Sequence, residues 1–534
     1  MPAAVLAVRR ATSRVVASPR AAVAVAGTAS LILAVLATLT RSNRRPAVPD
    51  ELSYLLAAET FASGRLTNPP HPMWEHFQAE HILVLPTYQS KYPPGQGLVL
   101  ALGDLMGSHP IVGVWLSVAA LGAALCWMLQ AWVGHRWAFF GTLGVMPWIA
   151  VSYWGFTYWG GALAAFGGAL VFGALRRLHP TPRPWYGVVL GALFGAGVLV
   201  LANTRMYEGF LTSLPAGLYL AYWFVRRDPT GRWFRRAAVA VPLVLVLAAG
   251  GLLMARYNEA VTGSALTLPY NVYARQYERS PYFLWMRPRD PYLRPGPAGE
   301  TTDDLHIYER ERTTRGFLAT AARRAIAFGV FFVPLPLAVA TALGVRRAVR
   351  DRWVAGAVAI LGFVMLGMTV SFWFGPHYAA PLMSLAVAVP LASLRALRYA
   401  PVGRSRWRRL VAPATVLGAC AALGVVKGLT YLVVKYRTDR TSWAARRDQF
   451  ATQLREMGGR HLVLVRYAPG HNTGDEWVSN AADIDRAPVV WARSLDPQKD
   501  QRLLSYFKDR RVWTVRVDRD DGPFALTPLE TTRR

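Results

Sequence analysis

The sequence predicts an all-α polytopic membrane protein of about eleven transmembrane helices, with extracytoplasmic loops and a small C-terminal α/β domain. Three observations predict this fold class. Of the 534 residues, 53% are apolar. They gather in runs of about 20 residues, the length that a helix needs to cross a hydrocarbon core about 30 Å thick. Clusters of arginine separate these runs.

The apolar runs define the predicted spans. They cover approximately residues 21–40, 110–133, 137–152, 161–175, 186–202, 209–225, 237–255, 325–345, 353–374, 378–394 and 410–434. No cleavage site of the Ala-x-Ala kind follows the first run before Arg41. We therefore expect this run to remain as a span and not to be removed as a signal peptide.

The distribution of arginine predicts the orientation, because short translocated loops avoid Lys and Arg. If residues 1–20 form a cytoplasmic tail, the loops on the same side carry clusters such as Arg176–Arg177 and Arg346–Arg347, and only two acids, Asp228 and Asp351. The formal charge of +29 is then explained by orientation in a plasma (inner) membrane, and a nucleic-acid partner is not expected. The C-terminus is predicted to be extracytoplasmic.

Three long polar segments fall on the outer side in this topology. Loops 41–109 and 256–324 interrupt a transmembrane domain of residues 21–434, and residues 435–534 form the extracytoplasmic α/β domain. In that domain, 461–467, 488–492 and 512–517 are predicted as strands and 498–508 as a helix. Loop 256–324 is rich in Tyr and Arg, which is typical either of a ligand-binding loop or of a lid packed on the membrane.

Several enzyme and transporter classes are excluded by missing motifs. The sequence contains no P-loop, Rossmann glycine fingerprint, HExxH pair or Gly-x-Ser-x-Gly elbow. The two cysteines, Cys126 and Cys420, lie in predicted spans and are interpreted as packing residues. The chemistry is therefore expected at the outer membrane boundary.

The first outer loop carries two candidate motifs. Asp50 and Glu51 follow Pro49, directly after the first span. Asp50 is either the N-cap of a helix or a carboxylate that accepts a proton from a substrate, and both roles are compatible. Further on, Lys91 and Tyr92 precede the rigid turn Pro93–Pro94. Lys91 either extends toward lipid headgroups or contacts one specific phosphate.

An Asp-Glu pair after the first span, a long loop ending in a Lys-x-Pro-Pro turn, many spans and a C-terminal external domain resemble the GT-C superfamily of membrane glycosyltransferases. That superfamily includes protein O-mannosyltransferases and lipid A aminoarabinose transferases, which are glycosyltransferase family 39-like proteins. The resemblance implies that Asp50 is the catalytic base, with Glu51 as a second candidate, and that Lys91 contacts a lipid phosphate. Tyr92, inserted between Lys91 and Pro93, departs from the pattern.

The reaction that the resemblance implies is inverting transfer of a sugar from a polyprenyl-phosphate donor to a lipid, glycan or protein acceptor. Cations are needed to stabilise the departing phosphate. Arg205 and His377 are candidates at predicted outer helix ends, and Tyr92 and Tyr207 are assigned to donor binding with them. Alternatively, Arg205 pairs with nearby Glu208 and His377 is satisfied by a backbone carbonyl.

Two further alternatives concern a metal and a different function. His76 and Glu80 are spaced i, i+4 and His81 follows, a pattern that either suits a divalent metal or belongs to a solvated loop. We predict no metal.

The alternative function is a transporter or flippase of lipid-linked sugars. A protein of that class would carry ionisable groups near the membrane midplane, whereas only Lys427 lies within a predicted span of this sequence.

Overall fold

The computed structural model describes residues 13–39, 45–179, 182–226, 233–290, 293, 302–399, 412–439, 442–468, 471–472, 474–517 and 524–529. The protein is mostly helical, with one small sheet near the C-terminus and a short hairpin in the first outer loop. Of the predicted tail 1–20, residues 1–12 lie outside the described ones. The apolar helices make the chain a multi-pass membrane protein.

Seven of the nine helices described in the first half correspond to predicted apolar runs, although α9 continues seven residues past the predicted end at 255. The nine helices are α1 (Pro19–Leu39), α2 (Pro49–Ala62), α3 (Pro94–Gly107), α4 (Ile111–Val133), α5 (His135–Ala150), α6 (Gly161–Arg177), α7 (Pro184–Ala202), α8 (Met206–Val225) and α9 (Trp233–Thr262). Helices α2 and α3 belong to the first outer loop and lie at the end of the bundle.

The described part of the second half contains three helices that the sequence did not predict: α10 (Pro269–Tyr277) and α11 (Thr302–Glu311) in the second outer loop, and α17 (Trp443–Glu456) in the C-terminal unit. The remaining helices are α12 (Thr314–Phe332), α13 (Leu335–Ala348), α14 (Arg352–Thr369), α15 (Met383–Arg398), α16 (Pro413–Asp439) and α18 (Pro497–Tyr506). Short 3-10 turns lie at Trp74–Phe77, Tyr153–Gly155 and Pro376–Leu382.

The predicted count of about eleven spans is not confirmed. Within the described ranges, six helices are long and apolar enough to cross a membrane, and α12 with α13 would add a seventh. These two helices are bent by 115° at the Val333–Pro334 break, so the predicted continuous span 325–345 is wrong. Pro334 lacks the amide hydrogen that a continuous helix uses and disfavours helical backbone at the residue before it, and Val333 is extended. Helices α5 and α6, with 16 and 17 residues, are shorter than a typical span.

Small residues allow the helices of the outer half to approach closely. Gly113 of α4 lies against the backbone of Val99 in α3, and Gly97 of α3 lies against Ala57 of α2. Glycine at these contacts removes the side chain that would separate the backbones, which is how helices commonly pack in membranes. The chain of contacts α2–α3–α4 fixes the first outer loop to the bundle.

The C-terminal sheet has the order β4-β3-β5-β6, formed by β3 (His461–Tyr467), β4 (Val489–Arg493), β5 (Arg511–Val517) and β6 (Leu526–Pro528). Strand β3 pairs in parallel with β4 and β5, and β6 is antiparallel to β5. Because side chains alternate along a strand, Val463 and Val465 pack against α17, whereas Leu462 and Leu464 pack against α18. Strands β3, β4 and β5 and helix α18 lie where the sequence predicts them, whereas β6 and α17 were not predicted.

The first outer loop is packed against this C-terminal unit. Phe77, Ile82 and Tyr88 share a hydrophobic core with Leu462 and Val490 of the sheet. The hairpin of β1 (Ile82–Leu83) and β2 (Gln89–Ser90) is part of the same loop. The loop is therefore an internal layer between the helix bundle and the sheet.

The close contact between α3 and α4 gives a first test. A Cβ at Gly113 would collide with the carbonyl oxygen of Val99, whereas a Cβ at Gly217 in α8 meets nothing within 4 Å. We expect Gly113→Ala to lower the free energy of unfolding by about 1–3 kcal/mol, and Gly217→Ala to raise it by about 0.5–1 kcal/mol through helix propensity. Thermal unfolding in detergent measures both, and equal shifts would contradict this packing.

Candidate active site

Asp50 lies in the first turn of α2 with its carboxylate free of any capping role. The N-cap of α2 is Val48, and no side chain caps the helix. The predicted N-cap role of Asp50 is therefore wrong, because Pro49 already occupies the first helical position and moves Asp50 into the helix. The Asp50 side chain is 25% exposed, so a substrate can reach it.

Two side chains of the first loop contact the Asp50 carboxylate. The hydroxyl of Tyr92 donates a hydrogen bond of 2.6 Å to Oδ1. Nε2 of His81 lies 3.6 Å from Oδ2 and also 3.6 Å from Oε1 of Glu80. The phenol hydrogen bond is short and charge-assisted, and it orients the carboxylate.

The pKa of Asp50 is lowered from its ordinary value. Burial alone would raise it, but His81, the hydrogen bond from Tyr92, Lys91 and His377 outweigh burial. Burial and Lys91 lower the pKa of His81 to about 3, so this ring is neutral near pH 7. The Tyr92 hydrogen bond and the Lys91 charge lower the pKa of Asp50 without requiring a protonated imidazole.

Glu51 is buried and bound to backbone on both sides. Its Oε2 accepts from the amide of Ala47 at 2.7 Å, and its Oε1 accepts from the amide of Tyr158 at 2.8 Å. Only 2% of the residue is exposed. This placement favours a role in fixing the start of α2 over the predicted catalytic role.

Lys91 is buried in a cage of acid and aromatic side chains. Its Nζ lies 3.0 Å from Oε1 of Glu278 and 4.2 Å from the ring centroid of Tyr273. Only 3% of the residue is exposed, so the alternative in which Lys91 extends toward lipid headgroups is wrong. Any phosphate that binds Lys91 must compete with Glu278.

Arg205 and His377 reach the same region from two other parts of the chain. Arg205 lies between α7 and α8, and its guanidinium carbon is 4.3 Å from the ring centroid of Tyr378. The His377 ring stacks on Trp159 with centroids 4.4 Å apart. Both groups interact electrostatically with each other, and His377 interacts with Asp50.

A cavity of about 340 Å³ lies beside these groups. Its wall includes Tyr92, Arg205, Tyr207, Tyr270 and Tyr378. The Tyr207 hydroxyl donates to the carbonyl of Gly367 at 2.7 Å, so this residue presents its ring to the cavity. Asp50 does not line this cavity, but it accepts a hydrogen bond from Tyr92, which does.

An apolar groove of about 480 Å³ lies next to the cavity and shares Thr204 with it. A narrow passage between the two is lined in part by Pro93, Pro94 and Met206. The groove is lined mainly by aliphatic and aromatic side chains, among them Phe61, Leu66, Leu98, Val99, Leu163, Leu199, Leu253 and Met254. This cavity, whose wall carries Arg205 and several tyrosines, therefore continues into a surface suited to a hydrocarbon chain.

The metal alternative receives no support from the arrangement of His76, Glu80 and His81. The 3-10 turn that contains His76 ends at Phe77, so no helix aligns His76 with Glu80. His76 is buried and its Nδ1 lies 2.7 Å from the carbonyl oxygen of Arg493, which also contradicts a solvated position. No group of three or more His, Cys, Asp or Glu suited to a metal was found in the described part of the chain.

Comparison with known proteins identifies the fold. No family model matches the chain, and no curated protein matches it. The crystal structure of ArnT from Cupriavidus metallidurans in the apo state superposes with a TM-score of 0.54 at 15% identity, covering 92% of this chain and 91% of that one. The chain has the fold of ArnT. ArnT bound to undecaprenyl phosphate gives a TM-score of 0.50 at 14% identity, covering 92% of each chain.

The predicted resemblance is confirmed in the fold, which this chain shares with ArnT. Sequence reasoning missed Glu278, which pairs with Lys91, and Tyr378, which lies against Arg205. Neither belongs to a recognisable motif. Glu80 and His81 were singled out, but for a metal. Their proximity to Asp50 depends on the loop conformation, with His81 in the left-handed region at φ 65°.

Glu80 gives a pH-dependent test. Burial, with Glu476, Asp50 and Glu278, raises its pKa from 4.5 to about 8 against the opposing effect of Lys91. Between these values the folded state holds a proton that the unfolded state lacks. The free energy of unfolding therefore falls as pH rises from about 5 to 8, by at most about 1.4 kcal/mol per pH unit.

We expect Glu80→Gln to flatten this part of the stability profile. Glu75→Gln is the matched control, because Glu75 is 39% exposed and pairs with Lys499 on the surface. Thermal unfolding measured from pH 5 to 8 separates the two variants. A wild-type slope that survives in Glu80→Gln would contradict the raised pKa.

Proposed function

We propose that this protein is a membrane glycosyltransferase that transfers a sugar from a polyprenyl-phosphate donor to an acceptor at the outer membrane face. The observation that carries the proposal is the meeting of Asp50, Tyr92, Arg205 and His377 beside a cavity that continues into an apolar groove. The fold shared with ArnT bound to undecaprenyl phosphate supports it.

In this proposal the groove binds the prenyl chain of the donor and the cavity binds its sugar. The aliphatic wall of the groove, with Leu98, Leu199 and Leu253, holds the first part of the prenyl chain by van der Waals packing, because a chain that enters from the bilayer is already out of water. The phosphate lies at the cavity end of the passage beside Arg205, because the passage itself, about 10 Å³ in volume and lined in part by Lys91, has room only for a water molecule. The sugar occupies the cavity among the rings of Tyr207 and Tyr270. Aromatic faces of this kind pack well against the C–H faces of a sugar.

Asp50 acts as the base in this proposal. Its carboxylate removes the proton from the acceptor hydroxyl or amine, whose lone pair forms the new bond to the anomeric carbon. The bond between that carbon and the phosphate oxygen breaks on the opposite face, and the phosphate leaves with the electron pair. Attack from the opposite face inverts the configuration. The lowered pKa of Asp50 keeps the base ionised at neutral pH.

Arg205 and Lys91 stabilise the charge that develops on the departing phosphate. Arg205 already forms part of the cavity wall. Lys91 contributes once the phosphate displaces Glu278 from its ammonium group, and His377 adds a polar ring on the acceptor side. In this scheme Glu51 positions α2, and no step requires a metal.

The finer topology is part of the same proposal. About eleven crossings in a transmembrane domain of residues 21–434 would put the N-terminus in the cytoplasm and domain 435–534 outside. Arginines at one end of the bundle, such as Arg177 of α6 and Arg347 of α13, support this orientation. The acceptor is a lipid, a glycan or a protein.

Replacing the base tests the chemistry. We expect Asp50→Asn to reduce transfer from a labelled polyprenyl-phosphate sugar by about 10²- to 10⁴-fold, because the amide cannot accept the proton. Asp104→Asn in α3 is the matched control and should retain activity. Donor binding, measured separately, should persist in Asp50→Asn. Unchanged transfer by this variant would remove Asp50 from the mechanism.

The Lys91–Glu278 pair tests the phosphate site. If Lys91 binds the phosphate, Glu278→Gln releases the Lys91 ammonium group from its ion pair and should tighten donor binding several-fold. Lys91→Met removes the ammonium group and should weaken donor binding about tenfold or more. Acceptor affinity should change little in either variant. Donor titration of both proteins gives the answer, and parallel losses in donor and acceptor binding would indicate a purely structural pair.

A further inference from the structure

A second polar cleft lies at the opposite end of the helix bundle from Asp50. Helix α6 begins at Gly161, close to Trp159 of the candidate active site, and ends 17 residues later at Arg177. This length corresponds to a rise of about 25 Å. The cleft at its far end, here called the arginine cleft, has a volume of about 480 Å³ and is lined by Gln130, His135, Arg176, Arg177, His179 and Tyr186.

Cationic side chains from separate connections converge on the arginine cleft. Arg176 and Arg177 come from the end of α6, and Arg352 comes from the start of α14. Arg352 Nη2 donates to His179 Nε2 at 3.2 Å. Arg226, at the end of α8, also interacts electrostatically with His179. Orientation of the helices requires arginines on this face, but it does not require them to gather around one cavity.

The cations of the cleft act on His179. The pKa of this histidine is lowered first by partial burial and then by the charges of Arg352, Arg226 and Arg176. Asp351 is the acid that interacts with Arg176, and it is exposed and caps the first turn of α14 through Trp353. Arginine side chains held this close together repel one another, and a bound anion reduces that repulsion.

The walls of the cleft hold its arginines in fixed positions. Arg177 donates to the carbonyl oxygens of Gly173 at 3.0 Å and Trp127 at 2.6 Å, and its guanidinium carbon lies 4.1 Å from the Trp127 ring centroid. Arg176 lies 4.8 Å from the ring centroid of Trp353. The guanidinium groups are therefore preorganised, and preorganised guanidinium groups bind phosphate well.

We propose that the arginine cleft binds the phosphate of an anionic phospholipid headgroup from the membrane leaflet opposite the candidate active site. The charge of the cleft selects an anion. Its position at helix ends, beside the exposed Trp185, places that anion at headgroup depth, where tryptophan is enriched. Basic pockets between transmembrane helices are a common headgroup site. The proposal does not depend on glycosyl transfer.

The test uses the purified full-length protein in neutral detergent. Dioctanoyl phosphatidylglycerol, dioctanoyl phosphatidylcholine and inorganic phosphate are titrated separately while the unfolding temperature is followed. We expect phosphatidylglycerol to raise the unfolding temperature, and the other two to leave it unchanged at the same concentrations. An equal effect of inorganic phosphate would overturn the lipid assignment in favour of a free-anion site.

Substitutions of the cleft arginines test whether the lipid-induced rise in unfolding temperature depends on the arginine cleft. Arg176→Gln/Arg352→Gln should require about tenfold more phosphatidylglycerol or more for the same shift, because two cationic contacts are lost. Arg346→Gln/Arg347→Gln, at exposed positions at the end of α13, is the matched control and should behave as the wild type. If the double variant is unstable without lipid, Arg352→Gln alone replaces it, since Arg352 is exposed. Identical titrations of the cleft and control variants would overturn the proposal.

Discussion

The hydrogen bond from Tyr92 to Asp50 joins two motifs that lie 42 residues apart, and the candidate site depends on it. A carboxylate held at the membrane boundary is costly unless a donor satisfies it. Tyr92 provides that donor and at the same time forms part of the cavity wall. The bond can form because α2 and α3 pack closely, with Gly97 against Ala57.

The C-terminal unit contributes to the site through the first outer loop. Leu56 and Phe77 share a core with Leu464 of the sheet. Oε2 of Glu476 accepts from the backbone amide of Glu80 at 3.1 Å, immediately before His81. The loop residues around Asp50 are thus held from the bundle on one side and from the sheet on the other, which limits their conformational freedom. The C-terminal unit in this arrangement acts as a support for the candidate site.

Local patterns in the sequence were sufficient for much of the fold. Hydrophobic runs predicted the membrane helices because apolar length is a local property, and short runs rich in β-branched and apolar residues predicted strands β3 and β5. The same reasoning joined α12 and α13 into one span, because hydropathy does not register a change of direction at Pro334. It also aligned His76 with Glu80, because i, i+4 spacing has meaning only where the helix continues, and this one ends at Phe77.

The sequence by itself determined that the chain is a multi-pass membrane protein, and it directed attention to Asp50, Lys91 and Arg205. Those conclusions follow from the hydrophobic effect and from residue chemistry, which act on each segment independently. Only the tertiary structure decided the partners of these residues. Glu278 pairs with Lys91 across 187 positions, and Tyr378 covers Arg205 from a distant segment. Buried charges require partners, but any acid or ring brought near by packing satisfies that requirement, so the sequence alone does not specify which one it is.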